Sequence, residues 1–205
     1  METVARPERA DQPADGVRLM VNKSDAPPDT PAREIIPFRE RKGDIVLWSF
    51  FLVNVVFVTY QADIEQLVIR DPDNFTYPIW PPAYMIDFLH WYFARFDPLL
   101  YERPVWYTTI VVIDQVVYGP FYIAALYAFW KGKEWIRNWS IIWASVMLAT
   151  VTVILGEEIA GPFASEHLLL VFATNAGWLI VPVWVLIRMW GEHPFTRPVT
   201  TKGNS

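Results

Sequence analysis

Three acidic residues lie within or at the ends of the long apolar stretches of this 205-residue chain, and their positions suggest chemistry at membrane depth. Asp114 lies in the middle of one stretch, while Asp63 and Glu157 lie at the ends of two others. A carboxylate at membrane depth is costly, so it generally faces the inside of a helix bundle and marks a site. Carboxylates that face one apolar cavity would form a proton-handling or cation-binding pocket.

Asp114 has a candidate partner one helical turn further along the chain. Tyr118 shares its face because residues four apart are neighbours on a helix, and Pro120 bends the helix just beyond. A carboxyl group placed where water is scarce can act as a general acid near neutral pH. The alternative is a buried Asp that only hydrogen-bonds a neighbouring helix; the cost of burial favours a functional role.

Asn175 and Trp178 are three residues apart in another apolar stretch and therefore share a face. Trp178 offers an aromatic face to a cation, whereas an Asn in a membrane helix is often only a hydrogen-bonding contact between helices. Asp97 precedes a proline, and Asp-Pro also favours a plain turn. Asp63, taken alone, is more simply an acid at the membrane surface.

Four apolar segments must position these side chains. They cover residues 45–62, 105–130, 139–155 and 168–190, lengths that suit a hydrocarbon layer of ~30 Å at ~1.5 Å rise per residue. Irregular backbone cannot face lipid, so each segment is predicted to be a helix. In the linker of residues 61–104, residues 83–96 carry apolar side chains at helical spacing and are predicted to form a helix at the interface or capping the bundle. The fold class is therefore all-α, a four-helix transmembrane bundle with a lipophilic pocket.

Composition excludes several classes of site. The chain has no Cys, so disulfides and thiolate metal sites are ruled out. Its three His residues are too scattered to predict a metal site, no cofactor motif is visible, and no basic patch interleaved with aromatics suggests nucleic acid. Residues 1–42 are polar, lack apolar periodicity and are predicted to be a disordered tail. Residues 194–205 are predicted to be a cytoplasmic tail.

The basic residues predict the orientation of the bundle. Lys131, Lys133 and Arg137 fill the loop between the second and third segments, and further basic residues precede the first segment and follow the fourth. With four spans these positions share one side. By the positive-inside rule, both termini are predicted to be cytoplasmic.

Residues 90–107 (HWYFARFDPLLYERPVWY) and 114–137 (DQVVYGPFYIAALYAFWKGKEWIR) resemble the EXPERA family, which includes the emopamil-binding sterol isomerases and the sigma-2 receptors. The similarity covers about residues 43–193 and implies a four-helix membrane bundle whose ligand cavity opens to lipid. It implies that Asp63 stands where the receptor has a ligand-ammonium acid and the isomerase a catalytic Glu. It also places Asp97, Asp114 and Glu157 at acidic positions of the family pocket.

Two further features of the resemblance point in different directions. Asn175-Ala176-Gly177-Trp178 is similar to the Asn-x-x-Trp of the isomerase, which favours an enzyme. Thr59, however, stands where the isomerase has a His one turn before its first acid, so the proton-transferring pair of the isomerase is incomplete here.

The leading hypothesis from the sequence is a membrane-embedded enzyme that performs general acid–base chemistry on a lipophilic sterol, terpenoid or polyketide-like substrate. The chemistry would be double-bond isomerisation, or epoxide opening with cyclisation or hydrolysis. Asp63, Asp114 and Glu157 would be catalytic, and Asp97, Tyr118, Asn175 and Trp178 would bind substrate. The alternative is a non-enzymatic sterol- or amine-binding protein, and a third hypothesis is a scaffold without a ligand.

No metal or other cofactor is expected for either hypothesis. The expected partners are a lipophilic small molecule and the bilayer, with no nucleic acid; a homodimer is left open. The expected location is the endoplasmic reticulum membrane.

Overall fold

The computed structural model describes residues 32–199. Its elements follow the apolar pattern of the sequence and are numbered here in chain order: β1 (Arg33–Ile35), α1 (Lys42–Val68), α2 (Ala83–Phe96), α3 (Pro98–Glu102), α4 (Val105–Lys131), α5 (Ile136–Ala160), α6 (Leu168–Arg188) and β2 (Thr196–Pro198). The helices α1, α4, α5 and α6 are each long and apolar enough to cross a membrane. The predicted fold class is confirmed, and the predicted linker helix is found as α2, with the same bounds.

The four long helices form a closed ring in which each one packs against two others. Helix α4 lies beside α1 and α5, and α6 lies beside α5 and α1. Aromatic side chains fill the centre of the bundle, with the ring of Phe51 5.4 Å from those of both Phe129 and Trp143. Large apolar side chains such as Val116, Val153 and Leu169 point outwards and are well exposed, as expected for surfaces that face lipid.

Two of the long helices contain wider, π-helical turns. They cover Asn54–Asp63 in α1 and Asp114–Tyr118 in α4. Such turns shift side-chain directions relative to an ordinary α-helix and are frequent at functional sites. Here they lie against each other, and each contains one of the predicted pocket acids.

One end of the bundle is held by a cluster around Asp44, whose carboxylate is fully buried. Arg41 Nη1 and Arg188 Nε both donate to this carboxylate over 2.7 Å. Arg41 also donates to the carbonyl of Phe129, so the cluster joins α1, α4 and α6. A buried carboxylate is tolerated when it is paired and hydrogen-bonded in this way.

Strands β1 and β2 pair antiparallel at this same end, with Glu34 opposite Arg197. The sequence did not predict this pairing, because three-residue strands carry no alternation long enough to recognise. Phe195, just before β2, is fully buried against Phe129. Strand β1 and the 3₁₀ turn Phe38–Glu40 fall within the segment predicted as a polar tail, of which residues 1–31 lie outside the described part. Pro194 and Phe195 of the predicted C-terminal tail are buried.

The linker between α1 and α4 is fixed by a second buried ion pair. Arg103 Nη2 donates to Glu65 Oε1 over 2.8 Å, and His90 Nε2 lies 2.6 Å from the same oxygen. Arg103 also donates to the carbonyl of Ile69. These contacts join the end of α1 to α2 and to the start of α4, which closes one end of the bundle.

The turn at Gly132 gives a prediction for stability. Gly132 has φ +66°, and an added Cβ would lie 2.6 Å from Ile35 Cγ2. We expect Gly132→Ala to lower the free energy of unfolding by about 1–2 kcal/mol, because an L-residue is strained at this φ and the methyl group displaces β1. Denaturant unfolding in detergent measures it. The control is Gly191→Ala, where nothing lies within 4 Å; equal losses in the two variants would contradict the prediction.

Candidate functional site

A cavity of about 470 Å³ lies between α1, α2, α4, α5 and α6, within the size range of small-molecule sites. Its walls are mainly apolar and aromatic, with contributions such as Phe57, Phe93 and Met147. Six of the seven predicted site residues line it: Asp63, Asp97, Asp114, Tyr118, Asn175 and Trp178. The fold therefore brings together residues that lie more than 110 positions apart in the sequence.

The polar centre of this cavity is a pair of carboxyl groups from α1 and α4. Asp63 and Asp114 lie within hydrogen-bonding reach of each other. An ionised carboxylate only accepts hydrogen bonds, so a bond between two carboxyl groups requires a proton on one of them. Like charges at this separation also disfavour double ionisation. A pair that shares one proton in this way would carry a single negative charge.

Neighbouring polar groups hold this pair in place. Thr59 Oγ1 donates to Asp114 Oδ1 over 3.2 Å, and Gln115 Nε2 lies 3.4 Å from Asp63 Oδ2. Gln115 also donates to the carbonyl of Thr59. The sequence did not single out Gln115, because an amide beside an acid gives no pattern of its own; the wide turn of α4 is what directs it towards α1.

The close approach of α1 and α4 depends on a small residue. A Cβ at Gly119 would lie 3.0 Å from Thr59 Cγ2. Glycine thus permits the backbones to come near enough for the two carboxyl groups to meet.

Helix α6 supplies an aromatic and amide wall. Trp178 Nε1 donates to Asn54 Oδ1 over 3.0 Å, and Asn54 in turn donates to the carbonyl of Phe50. Asn54 is fully buried and held in place, so its hydrogen bond fixes the Trp178 ring against the cavity. Asn175 Nδ2 donates to the carbonyl of Val171 over 2.9 Å, so its Nδ2 is held by the helix itself.

Asp97 forms another part of the wall, away from the helical spans. Its carboxylate caps α3 by accepting from the Leu100 N–H over 3.2 Å, and only 2% of the residue is exposed. Burial raises the pKa of Asp97 to about 6. The turn predicted from Asp-Pro is therefore a helix start whose acid also faces the cavity.

The structure differs from the sequence prediction at Glu157. This residue does not line the cavity; its Oε1 accepts from the N–H of Phe163 over 3.1 Å and so stabilises the loop after α5. Its neighbour Glu158 is fully buried and interacts electrostatically with Asp97. Among the described residues, neither carboxylate oxygen of Glu158 has a hydrogen-bond partner. Adjacent residues on an α-helix point in directions that differ by about 100°, so only one of these two acids can face the inside of the bundle. The acid that does so is Glu158.

The fold and the cavity define a class of membrane protein, a four-helix bundle with an apolar cavity between its helices. Sequence comparison identifies the family within this class. The sequence model of EXPERA, the EXPanded EBP superfamily, matches residues 84–189, more than half of the chain. The chain belongs to this family, as the resemblance predicted. The match includes Asp97, Asp114, Asn175 and Trp178; Asp63 lies before it.

Particular relatives are receptors by name. Sigma intracellular receptor 2 of Xenopus tropicalis is 29% identical over 153 residues, which cover 69% of this chain and 86% of the relative. Sigma intracellular receptor 2 of Homo sapiens is 29% identical over 168 residues, covering 75% and 90%, and that of Macaca fascicularis is 28% identical over 169 residues, covering 75% and 90%.

Proposed function

We propose that this protein binds a lipophilic ligand that carries a positively charged amine. The observation that carries this proposal is the contact between Asp63 and Asp114 inside an otherwise apolar, aromatic cavity. One negative charge in such surroundings is costly unless a cation balances it. The apolar walls would bind the body of the ligand, and the carboxyl pair would bind its ammonium group.

The aromatic wall supports the same proposal. Trp178 is held by Asn54, so its ring is available to a cation without further ordering. Receptor-type relatives are in keeping with binding rather than turnover. Equilibrium binding of a quaternary ammonium ligand and of its neutral carbon isostere, measured in lipid nanodiscs, tests the proposal. Similar affinities for the two would contradict it.

A second candidate is the acid–base enzyme predicted from the sequence. It is favoured by one observation: two carboxyl groups lie within hydrogen-bonding reach of each other, so one could give a proton while the other takes one. Proton delivery to an alkene carbon, followed by loss of a proton from the adjacent carbon, would shift a double bond. Asn175 would orient the substrate, and Trp178 and Tyr118 would shield the cationic intermediate.

Asp97 makes the proposed binding depend on pH. With a pKa of about 6, it is mostly neutral at pH 5 and mostly ionised at pH 7. Its added negative charge should strengthen binding of a quaternary ammonium ligand over this interval by roughly three- to tenfold. A quaternary ligand is used because it does not titrate itself. The increase should shrink in Asp97→Asn, and an unchanged pH profile in that variant would contradict the assignment.

We also propose that the protein is a multi-pass protein of the endoplasmic reticulum with both termini in the cytosol. The basic residues at the end of the bundle that carries β1 and β2 support this orientation. Epitope tags at the two termini should both be accessible after selective permeabilisation of the plasma membrane. Accessibility of one tag only would contradict a four-span topology.

A further inference from the structure

Basic side chains are concentrated at the end of the bundle that carries β1 and β2, and most of them are already engaged. Arg41 and Arg188 bind Asp44. Arg197 Nε lies 2.6 Å from Glu34 Oε1. Others cap backbone carbonyls, as Arg137 does for Met189 at the end of α6.

Four basic residues at this end make neither an ion pair nor a side-chain hydrogen bond with any of residues 32–199. They are Arg39, Lys42, Lys131 and Lys133, and all four are exposed. Two of the four, Arg39 and Lys131, line a second cavity of about 420 Å³ that is separate from the one between the helices. The other two, Lys42 and Lys133, do not line it.

This second cavity combines positive charge with apolar and aromatic walls. Ile35, Pro37 and Phe38 form its apolar side, and Trp130 lies at the end of α4. Lys131 Nζ lies 4.2 Å from the centre of the Trp130 ring. No carboxylate of the described residues lines the cavity beside Arg39 and Lys131.

The shape of the cavity is fixed by the fold. Gly132, in the left-handed conformation, turns the chain so that β1 packs directly on the end of α4. Arg41 contributes a buried wall, and its guanidinium donates to the carbonyls of Ile36 and Phe129. These contacts span the two sides of the cavity, so it is present without a ligand.

We propose that this cavity binds the headgroup of an anionic phospholipid. Arg39 and Lys131 would bind the phosphate, Trp130 would lie at the level of the headgroups, and Ile35 and Pro37 would contact the glycerol region. Tryptophan and basic residues at the ends of membrane helices favour the interface, and basic pockets between spans on the cytoplasmic side bind anionic headgroups. A lipid is the occupant that best fits a site at the membrane end of α4 with both apolar and cationic walls.

The experiment compares two double variants of the full chain that lose the same charge. Arg39→Gln with Lys131→Gln removes the basic groups of the cavity, and Lys42→Gln with Lys133→Gln removes two exposed basic groups beside it. Binding of phosphatidylserine and phosphatidylcholine is counted by native mass spectrometry of protein released from mixed micelles. We expect the cavity variant to lose about tenfold or more in phosphatidylserine affinity and the control variant about threefold or less.

Several results would overturn this assignment. Equal losses in the two variants would show attraction to surface charge alone. Full competition by millimolar inorganic phosphate would assign the cavity to a free anion rather than to a lipid. Amine cross-linking also tests whether Lys131 lies near Lys23 of the N-terminal segment or near a second copy of the chain. If added phosphatidylserine left such cross-links unaffected, the cavity would be assigned to a protein segment.

Discussion

Replacing both Asp63 and Asp114 by Asn is expected to weaken binding of a quaternary ammonium ligand by about 30-fold or more. The physical reason is the number of charges: a carboxyl pair that shares one proton has one negative charge, and only the double substitution removes it. Leaving a buried charge without its partner costs about 2–5 kcal/mol, which corresponds to roughly 30- to 5,000-fold in affinity. Isothermal titration in nanodiscs, with the neutral isostere beside the charged ligand, measures this loss.

Single substitutions separate charge from shape. Asp63→Asn or Asp114→Asn leaves one carboxyl group, and the new amide can donate to it as the protonated acid did. Each single variant is therefore expected to retain affinity to within about tenfold. Affinity for the neutral isostere should stay unchanged throughout, because the apolar walls are untouched.

A matched control removes two carboxylates outside the cavity. Asp71→Asn with Glu157→Gln keeps both acceptor oxygens, which are used by the N–H groups of Asp73 and Phe163. This variant replaces two carboxyl groups by amides, as the double substitution in the cavity does. A loss of cation affinity in the control equal to that in the Asp63 and Asp114 variant would remove the carboxyl pair as the binding group.

Much of this fold follows from apolar length alone. The four spans and α2 each leave a pattern in contiguous residues, which is why the sequence predicts them and the structure agrees. The pairing of β1 with β2 joins residues more than 160 positions apart through three residues on each side. Its stability comes from tertiary contacts such as the burial of Phe195, and these leave no local pattern.

In the candidate site, too, some features leave a local sequence pattern and others depend on tertiary contacts. Asp114 could be predicted to face a cavity because a charge inside an apolar helix has few other places to go. The choice between Glu157 and Glu158 depends on a rotation of about 100° per residue around α5, and the sequence prediction chose the residue that points away. Thr59, Gln115 and Asn54 position the acids and Trp178 from other helices, so only the packed structure assigns them a role.

The enzyme hypothesis makes a different prediction for the single substitution Asp114→Asn. Acid–base chemistry needs one group that gives a proton and another that takes it. An amide at Asp63 or Asp114 removes one of these two groups. Turnover of an alkene or epoxide substrate should fall by about 100-fold or more. Cation binding, in contrast, should survive this substitution, because one carboxylate remains.

Incubation of the protein in heavy water with a panel of sterol and terpenoid alkenes measures this turnover. A double-bond shift through a protonated intermediate incorporates one deuteron at the carbon that receives the proton, and mass spectrometry detects it. Glu157→Gln should incorporate deuterium at the native rate, since Glu157 lies outside the cavity. Equal incorporation by the native protein and by Asp114→Asn would eliminate the carboxyl pair as the catalyst, and absence of incorporation by the native protein across the panel would leave amine binding as the role of Asp63 and Asp114.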